Sequence, residues 1–514
     1  MTHEENAETI TKTGWLNRCL NSIERAGNRL PHPALLFIYL GLIILLLSAL
    51  TALAGLSAVH PVSGERIDVV NLISGEGLQR ILTGTVSNFT GFAPVGVVLV
   101  TMLGIGIAEQ AGLISALLRR LVLSAPASML SFFVAFAGIL SSLAADAGYV
   151  VLIPLAAMVY IAAGRHPVAG IATAFAAVSA GYSANLLIGP LDALLAGLST
   201  EGVQLVDANY SVSPASNWWF IIASSFVLSI TIAVISDKIA EPRLVPAQND
   251  DSGLGATADS TAERKGLRAA GLATLILFIL LLVCLIPSNG ILRNPETGSI
   301  LNSPFISGIV VVIAFWAAIA GVAYGKAAGT FKDSGEIIES MEKSMATMAG
   351  YLVLMFFAAQ FVAWFGWTNL GLISAIGGSE LLRTLDPNPV VLLLLFILVT
   401  AGINIFIGSA SAKWAVMAPV FVPMLYLLGI SPEGTQMAYR IGDSVSNIIT
   451  PLMPYFALVV AFVSKYDKRS GIGTIIATML PYSLILLLVW SVLLSLWMLF
   501  NLPLGPGAYF LLNE

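Results

Sequence analysis

Four charged side chains in strongly apolar surroundings, Asp192, Lys413, Arg440 and Asp443, have the most chemistry to offer in this chain. Charge in such a setting is expensive and is usually kept for a task. The richest stretch reads Asn404-Ile-Phe-Ile-Gly-Ser-Ala-Ser-Ala-Lys-Trp, then Pro419 and Pro423, then Arg440-Ile-Gly-Asp-Ser-Val-Ser-Asn, then Pro451. Arg440 and Asp443 are three apart, so on a helix they share a face and can neutralise one another. One reading is a buried structural ion pair. The reading favoured by their place just before the break at Asn447 and Pro451 is that Asp443 titrates or binds a cation while Arg440 holds an anionic substrate group.

Asn404, Ser409 and Ser411 offer short oxygen ligands beside unwound backbone, which suits a hard monovalent cation such as sodium. Their alternative role is to satisfy backbone groups that cannot stay unpaired in lipid, and for Ser409 that role is preferred. Trp414 is placed either to stack on an aromatic substrate or to sit at a membrane interface. Lys413 is expected to snorkel. In the first half, Asp146 stands where Ser411 stands in the second, and Asp192 follows a break running from Asn185 to Pro190. Glu109 reads as solvated at a span end.

The elements that must position these groups are written twice. At a shift of 265 positions Pro154 answers Pro419, Gly164 answers Gly429 and Pro167 answers Pro432, and after a small slip Asn185 and Pro190 fall against Asn447 and Pro451. The pentapeptide Gly-Leu-Ile-Ser-Ala at Gly112 recurs at Gly371, upstream of each copy. Paired hydrophobic segments interrupted by Gly, Pro, Ser and Asn are the mark of a secondary transporter whose substrate sits between broken helices near the bilayer midplane.

Composition agrees, with 57% hydrophobic and 10% charged residues among 514. Apolar runs predict crossings near 34–57, 92–111, 168–199, 217–236, 269–286, 306–325, 346–366, 433–464 and 474–500. Two further stretches, 124–163 and 389–428, are long enough for two half-length helices and are read as re-entrant hairpins. The expected fold is therefore an all-α polytopic membrane protein of nine transmembrane helices plus two re-entrant hairpins in an inverted repeat. Its parts are a cytoplasmic N-terminal segment (1–33), a first repeat (34–237), a cytoplasmic linker (238–266) and a second repeat (267–514). With the N-terminus cytoplasmic and the C-terminus periplasmic, only Arg66, Arg80, Arg293 and Arg383 of the 24 basic residues fall in outer loops, and Lys413 and Arg440 fall within the membrane. That bias satisfies the positive-inside rule, and counting either hairpin as a single crossing would break it.

Other classes find little support. Cys19 and Cys284 are too few for a disulfide framework, and the four histidines are scattered. Gly321-Val-Ala-Tyr-Gly-Lys is one spacer short of a phosphate loop and follows no strand. No nucleophile and base, metal cluster or basic nucleic-acid patch stands out, so no cofactor and no nucleic-acid partner is expected, and transport energy must come from an ion gradient. A channel is the remaining non-enzymatic alternative.

Several motifs together resemble one family. They are Asn-Arg-Leu-Pro-His-Pro-Ala-Leu-Leu-Phe at Asn28, Asn-Phe-Thr-Gly-Phe-Ala-Pro at Asn88, Gly-Arg-His-Pro-Val-Ala-Gly at Gly164, Ala-Asn-Leu-Leu-Ile at Ala184, Asp-Lys-Ile-Ala-Glu-Pro-Arg-Leu at Asp237 and Ala-Pro-Val-Phe-Val-Pro-Met at Ala418. From about residue 25 onward the chain resembles the AbgT family of p-aminobenzoyl-glutamate transporters. The resemblance implies a bacterial inner-membrane homodimer embedded in lipid. It implies uptake of p-aminobenzoyl-glutamate or a related aromatic folate metabolite, coupled to sodium or protons. It also leaves proton-driven efflux of sulfonamide antimetabolites open; a sodium-dicarboxylate symporter is a further alternative, disfavoured by Trp414 and by these motifs. It carries functional roles onto Asp192, Asn404, Ser411, Trp414, Pro432, Arg440, Asp443 and Pro451, with Asn404 and Asp443 as the sodium pair; Lys413 receives none.

Overall fold

The computed structural model describes residues 33–59, 64–143, 148–244, 261–300, 303–385, 387–450, 452–453, 455–467 and 472–512. Asp146, Pro451 and the segment 1–32 lie outside the described residues. Seven of the expected crossings are continuous apolar helices: Pro33–Leu53, Ala93–Gln110, Trp218–Ile235, Thr261–Leu285, Ile309–Ala328, Ala349–Trp367 and Ile472–Leu499. Apolar side chains cover most of their surfaces, as lipid requires. Thr261–Leu285 buries only Glu263, Gly266 and Ala270 within the protein.

The other two expected crossings are interrupted. In the first, Pro167–Phe175 runs into a π-turn at Ala176–Ala180, loses helical structure, and resumes at Pro190–Val203. In the second, Pro432–Ser446 passes through a 3-10 turn at Asn447–Ile449 before Phe456–Tyr466. The two stretches read as hairpins are each split as well, into Leu130–Leu140 with Ile153–Ala162 and Pro389–Asn404 with Ala410–Tyr426.

The sequence repeat is a repeat of structure. Gly164 and Gly429 both adopt left-handed backbone, at φ +70° and +83°. After each glycine the next amide reaches back to close the helix, Arg165 N to Tyr160 O at 2.8 Å and Ile430 N to Leu425 O at 3.0 Å. This six-to-one bond is the Schellman termination that a left-handed glycine permits. Pro167 and Pro432 then open the next helices, where a missing amide proton is no loss. The pentapeptide echo begins the helix Leu113–Leu123 and lies within Leu370–Leu385.

Several expectations need correction. Leu113–Leu123, Leu370–Leu385, Gly75–Thr90 and Ser334–Thr347 are helices in places read as loops, because none is apolar over a bilayer's length. The linker 238–266 is helical from Thr261. The all-α fold carries one short antiparallel strand pair, Ser57–Val59 with Arg66–Asp68.

The centre belongs to the least apolar of these helices. Every residue of Pro432–Ser446 is buried, although the segment contains Glu433, Gln436, Arg440 and Asp443. It packs on Pro389–Asn404 through Gly442, where a Cβ would lie 2.4 Å from Ile397 O. Only a glycine lets the two backbones approach so closely.

Candidate functional site

The two helices of the second hairpin, Pro389–Asn404 and Ala410–Tyr426, and the two sides of the first-half break, Ala176–Ala180 and Pro190–Val203, pack around the Pro432 helix. Its start is fixed by Ser431, whose Oγ accepts from Gly434 N at 2.9 Å, and by Pro432 in the first turn. That start sets the rotation that points Arg440 and Asp443 at different neighbours. Arg440 Nη1 donates to Asp192 Oδ1 at 2.6 Å, and Nη2 donates to the Ser183 carbonyl at 2.9 Å inside the first-half break. The second oxygen of Asp192 accepts from Gly189 N at 2.7 Å, holding the carboxylate at the start of the Pro190 helix. Carboxylates are favoured at a helix N-terminus, so this one is doubly fixed. Arg440 Nε has no hydrogen-bond partner among the described residues.

Asp443 faces the other way. Its Oδ1 forms an ion pair with the Lys413 ammonium. The ammonium also donates to Asn404 Oδ1 and, at 3.3 Å, to the Ile407 carbonyl in the gap between the Pro389 and Ala410 helices. Asn404 Nδ2 donates to Asp443 O at 2.7 Å, Ser446 Oγ at 2.8 Å and Asn447 Oδ1 at 2.9 Å. Asn447 Nδ2 in turn reaches Ser179 O at 3.3 Å, tying the second-half break to the first half.

This geometry sets aside the local ion pair and corrects the expectation for Lys413. Arg440 and Asp443 do not neutralise one another; each takes a partner from a different segment, because tertiary neighbours approach more closely than the i, i+3 spacing brings the pair. Lys413 does not snorkel. Its side chain is 0% exposed, and its charge is held by Asp443.

Trp414 is also 0% exposed. Its indole N–H meets Leu195 O at 3.2 Å and Ser199 Oγ at 3.1 Å, and its ring packs 4.3 Å from Tyr439. A relay continues from Ser199 Oγ to Gln436 Oε1 at 2.7 Å, and from Gln436 Nε2 to Asn217 Oδ1 at 2.8 Å. Ser409 caps the Ala410 helix by accepting from Ala412 N at 3.4 Å, and its hydroxyl lies 3.2 Å from that of Ser411. Asn185 donates to Ser142 Oγ at 2.8 Å. Sequence reasoning missed Ser183, Ser199, Gln436 and Tyr439; buried polar groups on a helix of low apolarity were the signal available for Gln436.

One ion pair, Arg440 to Asp192, joins the two halves and the other, Lys413 to Asp443, joins two segments of the second half, in a chain with seven bilayer-length helices among the described residues. The model of the AbgT transporter family matches residues 18–512. This chain belongs to the AbgT family. The p-aminobenzoyl-glutamate transport protein of Escherichia coli (strain K12) is 40% identical over 488 residues, covering 95% of this chain and 96% of that protein. Among solved structures, the Alcanivorax borkumensis YdaH transporter aligns with a TM-score of 0.89 at 54% identity, covering 93% of this chain and all of that one. Neisseria gonorrhoeae MtrF, described as illuminating a class of antimetabolite efflux pumps, aligns with a TM-score of 0.91 at 48% identity over 96% of this chain and all of its own. The fold of this AbgT protein is thus that of a multi-pass membrane transporter.

Within that fold, Asp192, Arg440, Asp443, Asn404 and Trp414 are gathered at one buried centre. Pro432 and Ser409 act there through the helix starts they set. Ser411 lies beside Ser409 at the open end of the Ala410 helix, and Asn185 lies at the first-half break.

Proposed function

We propose that this protein is a secondary active transporter of p-aminobenzoyl-glutamate or a related aromatic folate metabolite, driven by a sodium or proton gradient. The observation that carries this reading is the buried bridge between halves, Arg440 to Asp192, with the Arg440 Nε–H left over as a donor. A guanidinium pairs well with carboxylates through its planar fork. A substrate carboxylate reaching Arg440 would displace Asp192, loosening one half from the other while the substrate is held. Release restores the internal pair and resets the carrier. Exchange of partners lets the buried cation stay neutralised at each stage, which a lone charge in this setting would not be.

The hairpins are proposed to be re-entrant from opposite faces, with alternating access arising as one repeat moves against the other. Trp414, wholly covered here, would have to part from Tyr439 to stack on the aromatic ring. The protein is proposed to be a homodimer in a bacterial inner membrane with its N-terminus cytoplasmic. Ser411, Pro432, Asn185 and Pro451 are proposed to shape the substrate path, with Asn404, Ser409 and Asp443 at the coupling end.

A second reading, efflux of sulfonamide antimetabolites by proton antiport, is favoured by the near-complete structural match to MtrF. Sodium-coupled dicarboxylate transport is a weaker alternative, since an indole packed on Tyr439, the residue before Arg440, serves no aliphatic diacid. Flux of radiolabelled p-aminobenzoyl-glutamate into proteoliposomes, with sodium and pH gradients imposed separately and in both directions, decides among them. Asp443→Asn should abolish gradient-driven flux while the protein stays folded; retained driven uptake removes Asp443 from the mechanism.

A further inference from the structure

A sodium ion assigned to Asn404 and Asp443 finds its place already taken. The Lys413 ammonium has three N–H donors, and three oxygens surround it: Asn404 Oδ1, Asp443 Oδ1 and Ile407 O. Two are hydrogen-bond acceptors and the third is an ion-pair partner. A sodium ion ligated by the same three oxygens would have to lie where the nitrogen lies. We propose that Lys413 is a tethered cation that fills the Asn404–Asp443 site and excludes sodium from it, which makes Lys413 the residue setting the ion specificity of this site.

Three further observations support the proposal. Asn404 cannot turn its oxygen elsewhere, because its Nδ2 is engaged with Asp443 O, Ser446 Oγ and Asn447 Oδ1, and an amide flip would set oxygen against oxygen. The charges of the centre are balanced as they stand, Lys413 against Asp443 and Arg440 against Asp192. One more cation would leave a positive charge uncompensated in a buried setting, which is strongly unfavourable.

The first half supplies an internal control on the alternative that Lys413 merely holds the break together. There the break is tied by Asn185, which reaches Ser142 Oγ at 2.8 Å and the Ile139 and Leu140 carbonyls at 3.5 Å. At the shift of 265, Asn404 and Lys413 correspond to Ile139 and Gly148. In the register that pairs Asn185 with Asn447, Asp443 corresponds to Gly181. None of these three first-half positions carries an ionisable side chain. The Lys413–Asp443 pair therefore has no counterpart at the corresponding positions of the first half.

The proposal rests on this region being the coupling site, but its test reads sodium binding without substrate or flux. Saturable binding of radiosodium to the purified full chain is measured at constant ionic strength with choline as the replacement cation. The wild type should show no saturable binding that depends on Asn404. Lys413→Ala should gain saturable binding, and adding Asp443→Asn to it should remove that gain. Wild-type binding that Asn404→Ala abolishes would overturn the proposal, as would a folded Lys413→Ala protein that binds none. Should Lys413→Ala not fold, the comparison of wild type with Asn404→Ala decides alone. Failure of p-aminobenzoyl-glutamate transport in vesicles would count against the proposed substrate and leave this result standing.

Discussion

Replacing Asp192 by Asn removes one charge and little else, which makes it the sharpest probe of the partner-exchange idea. The side chain keeps its shape, and its oxygen can still accept from Gly189 N, as Oδ2 does now at 2.7 Å. What is lost is the ionic part of the 2.6 Å contact with Arg440. At an effective dielectric constant of about 20, two unit charges at that separation attract by about 6 kcal/mol. Desolvation offsets part of this, and breaking one side of a buried pair is found to cost about 3–5 kcal/mol because the other charge is stranded. The substrate-free variant should therefore melt at a lower temperature than wild type. If a substrate carboxylate takes over Arg440, the same stranded charge becomes a gain on binding. Since about 1.4 kcal/mol is tenfold in affinity, a net 1.4–3 kcal/mol corresponds to binding about tenfold to hundredfold tighter. Equilibrium binding of labelled p-aminobenzoyl-glutamate to purified protein, together with melting curves with and without it, should show tighter binding, a larger ligand-induced stabilisation and slower vesicle flux. Arg440→Gln should lose binding outright. If Asp192→Asn weakens binding as Arg440→Gln does, the displacement argument is wrong and the pair is a fixed strut.

Three smaller changes test the packing beneath the site. Trp414→Phe takes the indole donor away from Ser199 Oγ and Leu195 O and leaves a smaller ring in a fully buried place, and should lower stability by about 1–3 kcal/mol in thermal melts. Gly442→Ala puts a Cβ 2.4 Å from Ile397 O and should destabilise by about 1–3 kcal/mol; an unchanged melting temperature would show that the Pro389 and Pro432 helices can separate at no cost. Gly429→Ala meets no atom within 4 Å but must hold φ +83°, so it should lose about 1–2 kcal/mol from backbone strain alone. Gly429→Asn should lose less, as measured in the same melts.

The sequence by itself determined the membrane class, the duplicated plan and the places where helices stop. Apolar runs of bilayer length, the glycines at Gly164 and Gly429, and the prolines at Pro167 and Pro432 act through local physics: solvation by lipid, left-handed backbone and a missing amide proton. Such effects depend on residues close in sequence, and so they are legible there. The interrupted segments around Asn185 and Asn447 were visible for the same reason. The amphipathic helices Gly75–Thr90 and Leu370–Leu385 were not, because their partners are distant and their own apolarity is modest.

Only the tertiary structure decided who pairs with whom. The spacing of Arg440 and Asp443 allowed a local pair, yet Asp192, from 248 residues earlier, and Lys413 take those partners instead. Spacing along one helix gives two side chains a shared face, but it says nothing of what packs against that face. For buried charges the preferred partner is the one that also brings hydrogen bonds and excludes water, and that is settled when broken segments from both halves meet.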